Sequence, residues 1–246
     1  MLKAPPPYPT NLSFPNPYYK QFADRLHPQS GAFFEGGILS DDDAGWNNVF
    51  AHCLVEAIAA DVLAEHLLTD QQTDASVDRP SLVVAAFVHD AYKRIEMEQL
   101  RQSPKTLNLL YATDRASSDW LRNLGYPRSV IDLQQGIGNN AALGLYRQTI
   151  SILPLKVLHY IDDITQEDQL VPLEKRLTAL EHNVKYQKQN EWSRRYFDGH
   201  TLYEAKRIIN GATEQYLADR FGVTPHTSMP SWIAACIADR YHSSNV

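Results

Sequence analysis

The chain has 246 residues, 43% of them hydrophobic, and its 23 Lys and Arg against 29 Asp and Glu leave a formal net charge of −6. That is long and apolar enough to bury a core, which excludes a disordered or fibrous chain. The acidic balance argues against holding long nucleic acid by its phosphates, and it leaves room for a small phosphorylated molecule in a local basic pocket.

Residues 1–44 are rich in Pro, Gly, Asn and aromatics. Pro5, Pro6, Pro7, Pro9, Pro15 and Pro17 forbid regular helix over most of this arm. Its aromatics, from Tyr8 to Phe34, imply that it lies extended across the domain surface, with a short helix near Tyr18 to Leu26. Nothing here has the apolar core of a signal peptide. The run Asp41-Asp42-Asp43 reads as the acidic start of a helix and not as a metal cluster.

A long helix is expected from Trp46 to Leu68, where apolar residues recur with helical spacing. It carries His52, with Glu56 one turn on. A polar loop follows over residues 69–80. The apolar run Leu82 to Val88 then leads into His89-Asp90, and charge follows at Lys93, Arg94 and Glu96. Its first half has the look of a buried strand. The Ala85-Ala86 pair, the lack of alternation and the charged continuation favour one helix from Leu82 to Leu100. At seven residues the run falls far short of the roughly 20 that a membrane helix needs. Further helices are expected over 105–124 and from Pro127 to Leu133, followed by a glycine-rich loop from Gln135 to Gly144. The Gly136-Ile137-Gly138 pattern lacks the third glycine and the preceding strand of a dinucleotide fingerprint. Ile150 to Ile164 is an apolar helix with Pro154 in its first turn, and it carries Asp162 and Asp163. Three more helical patterns cover Pro172 to Phe197, Leu202 to Phe221 and Pro230 to Tyr241. No strand pattern bounded by hairpin turns is visible. The expectation is an all-α chain: an irregular arm over 1–44 and one helical bundle over 45–246.

The two cysteines, Cys53 and Cys236, form neither a disulfide framework nor a Cys-x-x-Cys motif. Together with the absence of a membrane span, this suggests a cytoplasmic protein. A homo-oligomer is compatible with the sequence.

An ionised aspartate at the edge of an apolar run costs several kcal/mol unless a cation compensates it. Histidine beside it points to a metal. Three apolar helices offer His52, the pair His89-Asp90, and either Asp162 or Asp163. One of that last pair can face solvent, and the other must face the interior. Two imidazoles and two carboxylates suit one divalent ion of Mn, Co, Ni, Fe, Zn or Mg, with transition metals favoured.

The order His…His-Asp…Asp on helices resembles the HD superfamily of metal-dependent phosphohydrolases. Asn48 to Ala57 is similar to its first-histidine helix, Val88 to Arg94 to its His-Asp-x-x-Lys signature, and Leu158 to Asp163 to its final aspartate helix. The resemblance spans about residues 46–165; the helices over 172–242 lie beyond it. It implies an HD-type fold with His52, His89, Asp90 and Asp162 as ligands, Asp163 facing outward, and hydrolysis of a small phosphorylated metabolite, a nucleotide being the best guess. Residues 91–158 contain no histidine, so a second metal is not expected. In this reading Asp90 orients the attacking water. Lys93, one turn on in the same helix, reaches the phosphate. Arg94, Arg147 and Lys156 are further candidates for phosphate contact, and Glu56 for holding a ligand histidine from behind. The other histidines, and Arg194, Arg195, Lys206 and Arg207, read as structural or solvated; the basic set would matter only if the C-terminal helices cover the site. Two alternatives use the same constellation: an iron-dependent oxygenase or lyase, and a nucleotide-sensing module without turnover.

Overall fold

The computed structural model describes residues 2–69, 78–102, 110–224 and 228–243. The architecture is all-α apart from one two-stranded hairpin. The N-terminal segment forms α1 (Pro17–Leu26), a 3-10 turn at His27–Gln29 and α2 (Gly31–Glu35). Asn16 caps α1, accepting from the Tyr19 amide at 3.1 Å, and Pro17 takes the first helical position, where an N–H would have no acceptor anyway. This segment is more than a strap over the surface. Phe33 and Ile38 are fully buried, and Phe33 meets Phe50 and Phe87 edge to face with ring centroids 5.0 and 4.9 Å apart.

Asp43 caps the 3-10 turn Ala44–Trp46, accepting from the Gly45 amide at 2.9 Å, and that turn opens into α3 (Asn47–Thr69). Helix α3 is apolar on nearly every face, so it has to lie inside. It is surrounded by α1, α4 (Arg79–Val88), α9 (Leu153–Ile164) and α13 (Met229–Ser243).

The expected helix from Leu82 to Leu100 is two helices. Helix α4 stops at Val88, and α5 (Lys93–Gln102) begins after a four-residue turn at 89–92. Within the turn, Ala91 N donates to Val88 O at 3.1 Å and Lys93 N to Asp90 O at 2.9 Å, a tighter spacing than the α-helical one. The end of α2 presses on this turn. A Cβ added to Gly36 would stand 2.2 Å from the Ala91 carbonyl oxygen, so glycine alone permits the contact.

Next come α6 (Leu110–Asn123), α7 (Arg128–Gln134) and α8 (Asn139–Tyr146). Residues 105–109 of the helix expected over 105–124 lie outside the described residues. The expected loop from Gln135 to Gly144 is largely α8. Its glycine content serves close packing: a Cβ on Gly144 would stand 2.5 Å from Ile150 Cδ1. After α9 come β1 (Thr165–Gln166) and β2 (Gln169–Leu170), antiparallel with Thr165 opposite Leu170, too short for alternation to show in the sequence. The charged stretch 172–197 divides into α10 (Leu173–Glu181) and α11 (Val184–Ser193). Helix α12 (Leu202–Phe221) opens with a capping box of Thr201 and Glu204 and ends at Gly222 in the left-handed region. Among the described residues, no helix is long and apolar enough to cross a membrane.

Candidate metal centre

His52 and Glu56 stand one turn apart on α3, His89 is the first residue past the end of α4, and Asp162 lies near the end of α9. One donor atom from each of these four side chains lies within 4.8 Å of all the others. Asp162 Oδ1 is 3.6 Å from His52 Nε2 and 3.9 Å from His89 Nε2. Ligands bound 2.0–2.2 Å from a transition metal lie about 3–4.4 Å from one another, so small movements would close this set on one ion.

The donors are arranged as a cation would need them. His89 Nδ1 lies 2.8 Å from the Ala86 carbonyl oxygen, which can only accept, so Nδ1 carries the hydrogen. That leaves Nε2 facing the cluster, buried and without a hydrogen bond. Glu56 is fully buried, and neither of its oxygens accepts a well-formed hydrogen bond. This holds even though Oε1 is 2.8 Å from His52 Nε2 and Oε2 is 3.2 Å from His89 Nδ1. A buried carboxylate in that state is costly unless it shares a cation. The cluster of His52, Glu56, His89 and Asp162 can hold a metal ion.

Electrostatics point the same way. Burial works against protonating His52 and His89, yet the Glu56 carboxylate prevails and holds both imidazoles well above the usual range. Burial lifts the Glu56 carboxyl, with the two histidines pulling it back down. Burial would also lift Asp162, but the hydrogen bond from His52 and the charge of Lys206 hold it well below the usual carboxylate range. Without an ion, protons fill the cluster; an ion would displace them.

The expected site residues divide into two groups. Asp90 stands at the edge of the cluster rather than in its tightest set, with Oδ2 3.9 Å from His89 Nε2. Lys93 is not on the helix that carries the pair: it opens α5, and its Nζ lies 3.6 Å from Asp90 Oδ1 and 3.3 Å from Glu96 Oε2. The Asp90 carboxylate holds the Lys93 ammonium above its usual range. Glu56, expected behind a ligand, belongs to the donor set itself.

Arg94, Arg147 and Lys156 do not line the cavity beside the cluster. Arg94 Nη1 reaches the Gly37 carbonyl at 2.7 Å and Asp43 Oδ2 at 3.0 Å, so it clips the N-terminal segment to α5. Arg147 is exposed and donates to the Tyr196 carbonyl at 3.3 Å.

Asp163 does not face outward. It is buried, accepting from Lys206 Nζ at 2.7 Å and Asn210 Nδ2 at 2.6 Å, with His159 Nδ1 at 3.3 Å. Lys206 is correspondingly no surface lysine. The signal lay in α12, where Leu202, Ala205, Ile209, Thr213 and Leu217 mark an inward face. Lys206 and Asn210 fall on that face, one turn apart.

Helices α10, α11 and α12 do fold over the site. They supply Arg176, Leu180, Tyr186, Tyr203 and Lys206 to a cavity of about 260 Å³ whose floor is His52, His89, Asp90 and Asp162. The fold and site thus define an all-α protein with a buried His/Glu/His/Asp cluster beneath a polar pocket. No protein-family model, curated protein or solved structure matches the chain.

Proposed function

We propose that this chain is a metal-dependent phosphohydrolase of the HD type, acting on a small phosphorylated metabolite, with a nucleotide the leading candidate. The observation that carries the reading is the convergence of His52, His89 and Asp162, from three separate parts of the chain, in one cavity that Asp90 and Lys93 also line. Glu56 joins that set, a departure from the His…His-Asp…Asp order.

A divalent ion held by these donors would supply a Lewis acid and a water of lowered pKa. The rest falls to the chain. Burial favours a neutral Asp90, but Lys93 and the two histidines keep its carboxyl below the usual range, so it is ionised and can accept a hydrogen bond that orients the attacking water. Lys93, beside it, offsets charge growing on the phosphoryl oxygens. Leu180, Tyr186 and Tyr203 wall the pocket and limit bulk water. The expected result is phosphate release from at least one member of a nucleotide and sugar-monophosphate panel with Mn, Co, Ni or Mg, and its loss in Asp90→Ala. Turnover that survives Asp90→Ala would refute the assignment. Tight nucleotide binding with no release under any metal would make the domain a sensor instead.

A further inference from the structure

Three basic side chains line the cavity, and they are not equivalent. Lys93 is held by Asp90 and Glu96 at 3.6 and 3.3 Å, and Lys206 by Asp163 at 2.7 Å. Arg176, on α10, has no carboxylate within ion-pairing distance among the described residues. Its Nε is shut away from solvent and makes no hydrogen bond. Four arginines elsewhere in the chain behave differently. Arg79, Arg94, Arg207 and Arg240 each grip a carboxylate at 2.7 to 3.0 Å. A guanidinium desolvated on one edge and left unpaired is a poor structural device, because its donors forgo the bonds that water would give them. It is a good receptor: the planar fork matches an anionic oxygen pair, and it is already positioned before the ligand arrives.

Its surroundings narrow the ligand. Arg176 lines the same cavity as His52, His89, Asp90 and Asp162, together with Tyr203 and Lys206. An anion held there would sit beside the metal cluster, not at a remote part of the surface.

The geometry points to Arg176 as the anion-binding residue of this pocket, seating a phosphate group of the substrate next to the metal cluster through its open fork. This assignment rests on the phosphohydrolase reading and deepens it. It makes α10, outside the segment that carries the metal donors, the part of the chain that selects for phosphate.

Titration of inorganic phosphate into the Mn²⁺-loaded protein, with Mn²⁺ affinity measured in parallel, tests it. Arg176→Ala should weaken phosphate binding roughly tenfold or more while leaving Mn²⁺ affinity unchanged. Arg176→Lys should fall between, keeping the charge and losing the fork. With a phosphomonoester that is turned over, Arg176→Ala should raise KM more than it lowers kcat. Equal phosphate affinity in the native chain and Arg176→Ala overturns this inference and leaves the phosphohydrolase reading intact. Loss of Mn²⁺ together with phosphate would make Arg176 a support of the cluster and also overturn it. Failure of the Mn²⁺-loaded native chain to bind phosphate at all overturns both.

Discussion

Helix α3 carries two acidic sites little more than a turn apart, and they are built in opposite ways. At the C-terminal one, Asp61 and Glu65 are clamped by two arginines from distant helices. Arg79 reaches them at 2.7 and 2.9 Å, and Arg240 at 2.8 and 2.7 Å. At the N-terminal one, Glu56 is more deeply buried and has imidazoles, not arginines, beside it, with both oxygens short of a hydrogen bond. The chain supplies permanent cations where the acids are structural. Around Glu56 it supplies only histidines, whose lone pairs can ligate, so an ion could bring the compensating charge. The contrast separates a tether from a site on one helix, without reference to any relative.

The largest effect should come from taking a donor out of the second site. His89→Ala is expected to reduce Mn²⁺ or Zn²⁺ affinity by more than the roughly 10–100-fold typical of groups that merely support a ligand, and Glu56→Gln to act in the same direction. Asp61→Asn, on the same helix, should leave metal content unchanged and lower only stability. Elemental analysis and calorimetric titration of the three variants read this directly. Stoichiometric metal in His89→Ala, or metal loss in Asp61→Asn, would erase the distinction between the two sites.

A smaller effect should appear in pH dependence. In the metal-free protein the Glu56 carboxylate overrides burial and raises His52 and His89 above their ordinary 6.5. A raised folded-state value gives stability that is fully present below the unfolded value and lost as pH rises through the folded one. The metal-free protein should therefore lose Tm as pH climbs above about 6.5, while metal affinity rises over the same window because the ion displaces protons. The arginine clamp contains no histidine and contributes nothing there. Tm measured against pH with and without Mn²⁺ should give curves that diverge upward from about pH 6.5. Parallel curves would show that protons and metal do not compete.

Much of this was legible in the sequence, and the failures share a cause. Helical pattern places α1, α3, α12 and α13 to within two residues and α9 to within three. It missed the turn at 89–92, since local pattern does not report that α2 packs Gly36 against the Ala91 carbonyl. It took α8 for a loop because its glycines look like looseness from inside the sequence. The family resemblance turns Asp163 outward, and helical pattern alone leaves Lys206 among solvated charges. They become an interior pair only when α9 and α12 are laid together. Glu56 reads from the sequence as a support behind a ligand histidine, and the fold sets it among the possible donors; its spacing from His52 is the same in either role.

The smallest expected effect belongs to the clamp. Arg240 joins the last turns of α13 to α3, but Arg240→Ala does not orphan Asp61, which keeps Arg79 Nε at 2.7 Å. The loss should be about 1 kcal/mol, as for a partly exposed ion pair, or roughly 2–4 °C of Tm in a chain of this size. Metal affinity should be untouched, and faster hydrogen exchange should be confined to α13. Removing Arg79 as well leaves Asp61, with its side chain only 12% exposed, facing no arginine of the clamp. The double variant should then lose more than its two parts predict, a coupling that a double-mutant cycle measures. Strict additivity would mean that each arginine acts alone and that the acids do not need a shared cation. In that case the unpaired state of Glu56 would lose its force as a sign of a cation site, because the same helix would tolerate uncompensated acid at both places.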